Sequence, residues 1–195
     1  MKKKFIELIK SVIDLPLDQE NEILKICSIK NIGKGQHFIN EGEIPYCLAF
    51  NLKGLFRYYY IDKKGNDFTK GFFPEGAPIS SYSAMIQHRE SYFNIEALED
   101  SVLAVINFDN WKQLLNKHIC WKSFLISFLE RGYCIKESRE REFLILDAEE
   151  RYRIFLHTFP NIEHRVKQRY IASYLGITQV ALSRIRKKMG LVNTG

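Results

Sequence analysis

The sequence predicts an α+β fold in which short strands fill the first half of the chain and helices the second. Glycine-punctuated segments rich in aromatic and β-branched residues run from Ile32 to Ile106. From about His118 to Leu146 the chain has no proline and a single glycine, Gly132, which favours one long helix. The segment from Gln168 to Lys187 has the pattern of two short helices joined by a sharp turn.

Residues 5 to 30 come before the strands and have the pattern of helices. The break at Leu15-Pro16-Leu17-Asp18 divides them, and Asp18 is expected to cap the second helix. Apolar residues at helical spacing form a stripe on the first helix: Phe5, Leu8, Ile9, Val12 and Leu15. We expect this stripe to pack on the body of the protein, the alternative being a membrane surface.

The strand region is clearest around one hairpin. Residues 55–61 (LFRYYYI) have the composition of a strand, residues 62–66 (DKKGN) that of its turn, and residues 67–73 (DFTKGFF) that of the returning strand. Residues 101–106 close the series. Short strands separated by turns about every 8–12 residues indicate a roll or a sandwich.

The long helix carries a stripe of large apolar side chains at near-heptad spacing, which Arg131 interrupts. The stripe consists of Trp121, Phe124, Phe128 and Ile135. Such a stripe either pairs with a second copy of the helix or packs inside its own domain, and both interpretations stay open. Asp147 then caps a further helix, with Glu149 and Glu150 in its first turn, that ends near Phe159-Pro160.

In the final helix pair, Gly176 can adopt the positive φ of a sharp helix exit and Thr178 can cap the next helix. Leu182, Ile185 and Met189 share one face of that helix, which must be buried. The outer residues are Gln179, Val180, Ser183, Arg184 and Lys187. Such a helix suits a DNA major groove, although an ordinary helical hairpin with a solvated basic face has the same spacing.

The charge distribution favours the nucleic-acid interpretation. Residues 151–195 contain nine Lys/Arg and one acidic residue, Glu163, whereas residues 1–150 contain 20 Lys/Arg and 22 Asp/Glu. The formal net charge of +6 therefore lies at the carboxyl-terminal end. A basic lobe on a nearly neutral body is expected where one module binds phosphates and the other does not.

Other classes of protein find little support. The four cysteines (Cys27, Cys47, Cys120, Cys134) form no CxxC pair, so we expect free thiols and no metal site, with a redox role of Cys120 and Cys134 conceivable. No nucleophile-elbow, P-loop or HExxH motif occurs, which argues against an enzyme. The chain lacks the apolar run of about 20 residues that spans a bilayer and lacks a signal peptide, which predicts a cytoplasmic protein without a membrane partner.

Taken together, the chain resembles the Crp/Fnr family of bacterial transcription regulators. The resemblance rests on Gly42 to Gly54 with the following hairpin, on residues 95–106, on the junction 146–151 and, most specifically, on the helix-turn-helix. It implies a β-roll of the double-stranded β-helix type with flanking helices as a sensor domain (1–117). It also implies a long dimerisation helix (118–146) and a small helix-turn-helix domain (147–195) whose β-hairpin wing is minimal or absent.

The resemblance implies a homodimer that binds two half-sites of double-stranded DNA, and it implies RNA polymerase as a partner. Gln179, Val180 and Arg184 take the positions that meet base edges, with Ser183 on the same face. The residues expected at phosphates are Arg169, Thr178, Arg186, Lys187 and Lys188. Trp121, Phe124, Phe128 and Ile135 are the expected dimer contacts.

The sensor departs from the cyclic AMP-binding pattern. Members that bind cyclic AMP use a Glu for the ribose and an Arg-Ser pair for the phosphate, and here Ser81, Ser91 and Tyr92 take those positions. Without the guanidinium, phosphate binding loses its strongest group. The candidate effector pocket consists of Ser80, Ser81, Tyr82, Arg89, Ser91 and Tyr92. We expect no cofactor and an unknown effector, or none; cyclic nucleotide binding through a non-standard pocket, with Arg89 compensating, is the alternative.

Overall fold

The computed structural model describes residues 1–191. Within that range the chain forms eight α-helices and eight β-strands, and the predicted α+β class is confirmed. Residues 192–195 lie outside the described residues, and the expectation of a minimal or absent wing falls on them.

The elements follow the chain in the order that the sequence predicts. The helices are α1 (Lys2–Lys10), α2 (Leu17–Ile26), α3 (Tyr82–Ile86), α4 (Phe108–Lys117), α5 (Ile119–Ile145), α6 (Ala148–Thr158), α7 (Gln168–Leu175) and α8 (Gln179–Lys188). The strands are β1 (Cys27–Ile32), β2 (His37–Ile39), β3 (Cys47–Lys53), β4 (Phe56–Ile61), β5 (Asp67–Phe73), β6 (Pro78–Ile79), β7 (Asn94–Ala97) and β8 (Ser101–Asn107). A short 3-10 helix (Ile162–His164) lies between α6 and α7.

The amino-terminal end differs from the prediction in two details. Residues 27–30 were expected in a helix, but β1 begins at Cys27 because this segment pairs with β8 along its whole length. Asp18 was expected to cap the second helix, but α2 begins at Leu17 and Pro16 is its N-cap residue. The fixed φ of proline suits that position.

The strands form two four-stranded antiparallel sheets that face each other as a roll. The strand order is β1-β8-β3-β6 in the first sheet and β2-β7-β4-β5 in the second. Side chains alternate between the two faces of each strand. On β3, Leu48, Phe50 and Leu52 face the helices, whereas Ala49 faces the second sheet.

Three hydrophobic clusters hold the molecule together. One fills the space between the sheets, around Phe56 and Ile95. A second lies between the outer face of the first sheet and helices α1, α2, α4 and α5, with Trp111 and Trp121 near its centre. The third joins α6, α7 and α8 to the outer face of the second sheet through Phe72. The helix-turn-helix region therefore packs directly on the roll.

Helix α5 is the longest element, with 27 residues and a length of about 40 Å. It is continuous through Gly132, and His118 caps its amino terminus by accepting a hydrogen bond from the Cys120 N–H. Only its first turns are buried against the roll, at Cys120, Trp121 and Phe124. At its far end Asp147 and Glu150 form the capping box that begins α6, as the sequence predicts.

Candidate functional site

The turn between α7 and α8 has the geometry that the sequence predicts. Gly176 has φ 69°, in the left-handed region that glycine adopts without strain, and the Ile177 N–H donates to Ala172 O at 3.0 Å. Thr178 Oγ1 accepts from the Ala181 N–H at 3.1 Å and so caps α8. Both predicted roles, the glycine exit and the threonine cap, are confirmed.

Helix α8 is anchored on one face and exposed on the other. Leu182 is fully buried, and Ile185 and Met189 pack around it. The outer face is exposed along its length and consists of Gln179, Val180, Ser183, Arg184 and Lys187. Among residues 1–191, no carboxylate lies within 4 Å of Arg184 or Lys187. An amide, a pair of methyl groups, a hydroxyl, a guanidinium and an ammonium therefore face outward on a fixed helix.

Arg186 was expected at a phosphate, and the structure contradicts that assignment. Its Nη2 lies 3.8 Å from Glu163 Oε1, and the two side chains are only 12% and 16% exposed. Arg186 follows the partly buried residue Ile185 around the helix and faces Tyr152 in the domain core, so it does not reach a ligand on the outer face. Lys188 is exposed but lies 2.6 Å from Glu149 Oε2, so its charge is partly neutralised.

The other two residues assigned to phosphates lie at the edge of the helix pair. Arg169, near the start of α7, is exposed and donates from Nη2 to Tyr170 OH at 3.0 Å. Thr178 is exposed, but its hydroxyl already serves as the cap of α8. The structure therefore brings Gln179, Val180, Ser183, Arg184 and Lys187 together on one face of α8, whereas Arg169 lies on α7 against Tyr170.

A buried arginine joins the roll to α7, and the sequence analysis did not find it. Arg57 on β4 is 2% exposed, and its Cζ lies 4.0 Å from the ring centroid of Tyr59 and 3.7 Å from that of Tyr170. Its Nη1 lies 3.0 Å from Asp67 Oδ1, and its Nη2 lies 3.1 Å from Glu96 Oε2. The guanidinium thus has two carboxylates in its plane and an aromatic ring on each face.

Two further polar contacts fix the same junction. Ser173 Oγ on α7 accepts from the Thr69 N–H at 2.8 Å and donates to Asp67 O at 3.1 Å. It thus hydrogen-bonds to two free backbone groups at the edge of β5. Arg165 lies 2.7 Å from Glu99 Oε2 and 3.0 Å from Glu75 Oε1, and these contacts raise the pKa of its guanidinium. The only hint of this junction in the sequence is the position of Arg57, a charged residue inside a strand made of aromatic residues.

In the predicted effector pocket the two key serines contact each other. Ser81 and Ser91 are each 1% exposed, and their Oγ atoms lie 3.0 Å apart. Ser91 Oγ also lies 2.8 Å from Phe93 O. The hydroxyls are therefore satisfied within the protein, and neither is a free donor for a phosphate.

Aromatic side chains occupy the space between the sheets beside these serines. Tyr58 stacks on Phe73 with ring centroids 3.8 Å apart and on Phe93 at 5.3 Å. The Ser80 N–H donates to Tyr58 OH at 2.8 Å. Burial raises the pKa of the Tyr58 phenol, so it stays neutral. The backbone N–H of Ser80, in the predicted effector pocket, is thus occupied by a side chain of β4.

Arg89 and Tyr92 form a pair at the surface. Arg89 Nη1 donates to Tyr92 OH at 2.7 Å, its Cζ lies 4.4 Å from the ring centroid, and Tyr92 is 60% exposed. Ser80 and Tyr82 line a small apolar pocket between β3 and α5, bounded by Trp111. The six predicted pocket residues therefore do not form one site. They separate into the buried pair Ser81 and Ser91, the pair Ser80 and Tyr82 at the apolar pocket, and the surface pair Arg89 and Tyr92. Among residues 1–191 no cationic side chain hydrogen-bonds to the buried serines, so these residues do not fit a cyclic nucleotide bound in the usual way.

Two of the four predicted dimer contacts need correction. Trp121 and Phe124 are 0% and 4% exposed and pack in the protomer's own core, so they are not accessible to a second copy. Phe128 is half-buried, beside the same apolar pocket, and Ile135 is 58% exposed. A different stripe faces outward at heptad spacing: Ile119, Ile126, Leu129 and Tyr133, which are 46–67% exposed.

The remaining candidate chemistry is sparse within residues 1–191. The four cysteines are free; Cys120 is buried, Cys134 is exposed, and the two lie about 21 Å apart along α5. No group of three or more His, Cys, Asp or Glu side chains in these residues is placed to hold a metal ion. None of the described helices combines the length and hydropathy needed to cross a membrane.

Comparisons with known proteins agree with this geometry. Residues 29–118 match the cyclic nucleotide-binding domain family. No curated protein sequence matches the chain significantly. Among solved structures, FixK2 from Bradyrhizobium japonicum is 15% identical with a TM-score of 0.74, and the match covers 87% of this chain and 89% of FixK2.

Two other solved structures are similarly close. The c-di-GMP responsive global regulator CLP from Xanthomonas campestris is 14% identical with a TM-score of 0.72, covering 90% of this chain and 92% of CLP. A protein from Eubacterium rectale, described as a transcriptional regulator of the Crp/Fnr family, is 19% identical with a TM-score of 0.73, covering 93% of this chain and 88% of that protein. Residues 29–118 of the chain therefore belong to the cyclic nucleotide-binding domain family, and the chain has the fold of the solved Crp/Fnr regulators, as the sequence predicted.

Proposed function

We propose that this protein is a homodimeric, sequence-specific DNA-binding transcription regulator. The observation that carries the proposal is the outer face of α8, where Gln179, Val180 and Arg184 are exposed on a helix whose opposite face is anchored by Leu182. A major groove accepts such a helix, and the arginine fork matches O6 and N7 of guanine. Within the part of the chain that the structure describes, Arg184 has no carboxylate partner that it must release before it binds DNA.

The charge of the domain supports phosphate contact around that helix. Lys187 is exposed on the outer face, and Arg169 is exposed at the start of α7. Both are solvent-exposed cations on the two helices of the helix-turn-helix, and exposed cations beside a recognition helix are the groups that contact phosphates. Lys188 contributes less to phosphate binding, because its charge is already paired with Glu149. Arg186 serves the domain core and is not part of the proposed contact set.

The exposed stripe on α5 supports self-association. Ile119, Ile126 and Tyr133 recur at seven-residue spacing, with Leu129 between them, on a helix that extends beyond the roll. A second copy of the same helix would bury this stripe in a two-stranded coiled coil. In a twofold-symmetric dimer of this kind we expect the two copies of α8 to lie about one DNA turn apart.

The sensor domain in this proposal does not bind cyclic AMP in the usual way. The paired serines and the stack of Tyr58, Phe73 and Phe93 occupy the interior that a nucleotide would need. The proteins of similar fold include regulators by name, which supports a regulator over an enzyme. Contact with RNA polymerase follows only from the family resemblance and stays a proposal.

Selection of bound fragments from a random DNA pool by the full-length protein tests the proposal directly. We expect a two-fold symmetric site with half-sites about 10 base pairs apart. Arg184→Ala should cost about 1–3 kcal/mol of discrimination at one base pair in each half-site. Lys187→Ala should weaken all sequences alike and reduce the salt slope by about one unit. If the pool yields no enriched sequence, the proposed specificity is wrong.

A further inference from the structure

The end of helix α5 contacts the last turn of α7. Arg139 Nη2 donates to Tyr174 O at 2.5 Å, and the Arg139 Cζ lies 3.5 Å from the centroid of the Tyr174 ring. Within α7, the carbonyls of Ala172 and Ser173 accept backbone N–H groups of the turn that follows. Tyr174 O lies beyond them, where a helix carbonyl needs a donor from outside the helix. Arg139 thus supplies a cation at the negative end of α7.

The ring of Phe143, one turn further along α5, fills the space beside the α7–α8 turn. A Cβ atom added at Gly176 would lie 2.9 Å from Phe143 Cε1, so the ring packs directly against the backbone of the turn. The guanidinium carbons of Arg139 and Arg151 lie 4.8 Å and 5.0 Å from the ring centroid. Arg151 Nη1 also donates to Leu146 O at 2.6 Å, between α5 and α6. The turn that precedes α8 is therefore held by side chains of α5 and α6.

The contact with Tyr174 needs an arginine rather than an apolar side chain. Arg139 is half-buried, and burial lowers the pKa of its guanidinium, which nevertheless stays charged at neutral pH. A hydrogen bond from a charged donor is worth about 1.5–3 kcal/mol. A methionine would pack on the Tyr174 ring but would leave the carbonyl without that donor. The charge therefore fixes the end of α7 in a way that packing alone does not.

Helix α5 presents a different face to solvent. Its exposed stripe includes Ile126 and Tyr133. Because a helix has 3.6 residues per turn, Arg139 lies about 120° around α5 from Tyr133. One face of α5 is therefore free to contact a second copy, while another face holds the helix-turn-helix of the same protomer.

Two separate contacts hold α7 near its two ends. Near its amino-terminal end, Tyr170 covers the guanidinium of Arg57 on the roll. Near its carboxyl-terminal end, Tyr174 contacts Arg139 on α5. Without the second contact, α7 and α8 would keep the anchor on the roll and could pivot about it. Loss of Arg139 should therefore loosen the orientation of α8 without unfolding the domain.

We propose that Arg139 is a positioning residue that sets the orientation of α8 relative to α5 and, in the dimer, the spacing between the two copies of α8. The inference rests on the proposed function and deepens it, because it names the residue that determines which half-site separation the protein accepts. Arg139 acts through Tyr174 and the turn rather than through contact with DNA. Its loss should reduce selectivity for half-site spacing and leave base preference within a half-site unchanged.

A distance measurement between spin labels tests the orientation without DNA. The labels are attached to Ser127→Cys on α5 and Ser183→Cys on α8, both at exposed positions, in the full-length protein. Cys47→Ser and Cys134→Ser remove the two thiols that are not buried. Dilution with unlabelled protein of the same background keeps each measured pair within one protomer. Ser127 lies away from the exposed stripe, so its label leaves the dimer contact free.

We expect one narrow distance distribution when Arg139 is present and a broader one in Arg139→Met. Arg139→Lys keeps a charge but loses the planar fork that stacks on the ring, so it should give an intermediate width. Arg141→Met is the matched control, because Arg141 is an exposed arginine on the same helix, and it should keep the narrow distribution.

Binding to duplexes of altered spacing tests the consequence. The sequence that the full-length wild type selects is the starting duplex, and one base pair is then added or removed between its half-sites. This changes their separation by about 3.4 Å and their relative rotation by about 35°. We expect the affinity of the wild type to fall about tenfold or more, and that of Arg139→Met to fall about threefold or less. Arg141→Met should behave like the wild type.

The outcomes separate this inference from the proposed function. A distribution as narrow in Arg139→Met as in the parent protein, or an unchanged spacing penalty, would overturn the positioning role. If Arg139→Met does not fold, Arg139→Lys decides: broadening supports the role, and an unchanged width overturns it. A wild type that selects no DNA sequence would refute the proposed function, whereas the distance measurement would still decide whether Arg139 orients α8.

Discussion

The guanidinium carbon of Arg57 lies 3.7 Å from the ring centroid of Tyr170, which places a charge of the sensor domain against the first helix of the helix-turn-helix. Asp67 and Glu96 hold the guanidinium from its edges, and Tyr59 covers its other face. Tyr59 OH in turn lies 2.8 Å from His37 Nε2. The orientation of α7, and with it that of α8, therefore depends on strands of the roll.

Replacing Arg57 by methionine should destabilise the protein by about 2–4 kcal/mol. The change keeps much of the side-chain volume but removes the cation that pairs with Asp67 and Glu96. Most of the loss in stability comes from leaving the more buried carboxylate, that of Glu96, without this partner. Asp67 is partly exposed, which moderates the effect. Urea unfolding at pH 7 measures it.

Arg153→Met is the matched control for that measurement. Arg153 forms a salt bridge with Glu149, but its side chain is 61% exposed, and such pairs contribute little. We expect a change within experimental error. Equal destabilisation by the two substitutions would show that Arg57 has no special role at the junction.

Arg186 and Arg184, two residues apart on α8, should respond in opposite ways. Arg186→Ala removes the partner of Glu163 inside the domain and should lower the free energy of unfolding by about 1–2 kcal/mol. It should leave the ranking of DNA sequences unchanged. Arg184→Ala should change the ranking of DNA sequences and leave the free energy of unfolding nearly unchanged. Chemical unfolding and competition binding on both variants give the comparison, and a change of base preference in Arg186→Ala would contradict the assignment.

Ile126→Glu should convert a dimer to a monomer. Ile126 is 54% exposed at the centre of the α5 stripe, and a charge there would be buried opposite its own copy. Light scattering after gel filtration measures the mass. Ile44→Glu is the control, because Ile44 is 58% exposed on the roll and lies outside the stripe. A wild-type protein that is monomeric at every concentration would contradict the prediction.

Local signals were sufficient for much of this architecture. The helix-turn-helix was predictable because Gly176 and Thr178 act through their own backbone geometry, and the β4–β5 hairpin was predictable from the turn 62–66. The start of α6 was predictable because Asp147 and Glu150 form a local capping box. Each of these features involves residues within a few positions of each other.

The errors concern features that depend on distant parts of the chain. Trp121 and Phe124 have the spacing of a dimer seam, but α4 and the first sheet cover them, which spacing alone does not reveal. Arg186 looks like a phosphate ligand until Glu163 is seen beside it. Arg57 contacts Tyr170 across 113 positions, and no local pattern predicts such a pair.

Cyclic AMP should show no measurable binding in calorimetry. Ser81 and Ser91 satisfy each other, and Tyr58 OH occupies the Ser80 N–H, so a phosphate would have to break three internal contacts without gaining a guanidinium. Arg89→Ala should give the same null result, because Arg89 is held by Tyr92. Tight binding by the wild type that Arg89→Ala abolishes would favour the alternative of a non-standard nucleotide pocket.

Lys70 should destabilise the folded protein at neutral pH. Its pKa falls from an ordinary 10.5 to about 8 on folding, so between these values the unfolded chain binds more protons than the folded one. Stability must then rise with pH across that window. Below pH 8 both states carry the charge, and the full cost of burying it is present.

Lys70→Met should therefore be more stable than the wild type by about 1–2 kcal/mol at pH 7, less than the whole pKa difference implies because the ring contacts of the lysine are lost as well. The advantage should shrink steadily between pH 8 and 10.5, where the wild type sheds the buried proton. Urea unfolding at intervals across pH 7–10.5 follows this gap, with Lys63→Met as a variant that should match the wild type throughout. A gap that stays constant with pH would mean that Lys70 titrates alike in both states and that folding does not bury its charge against Phe93.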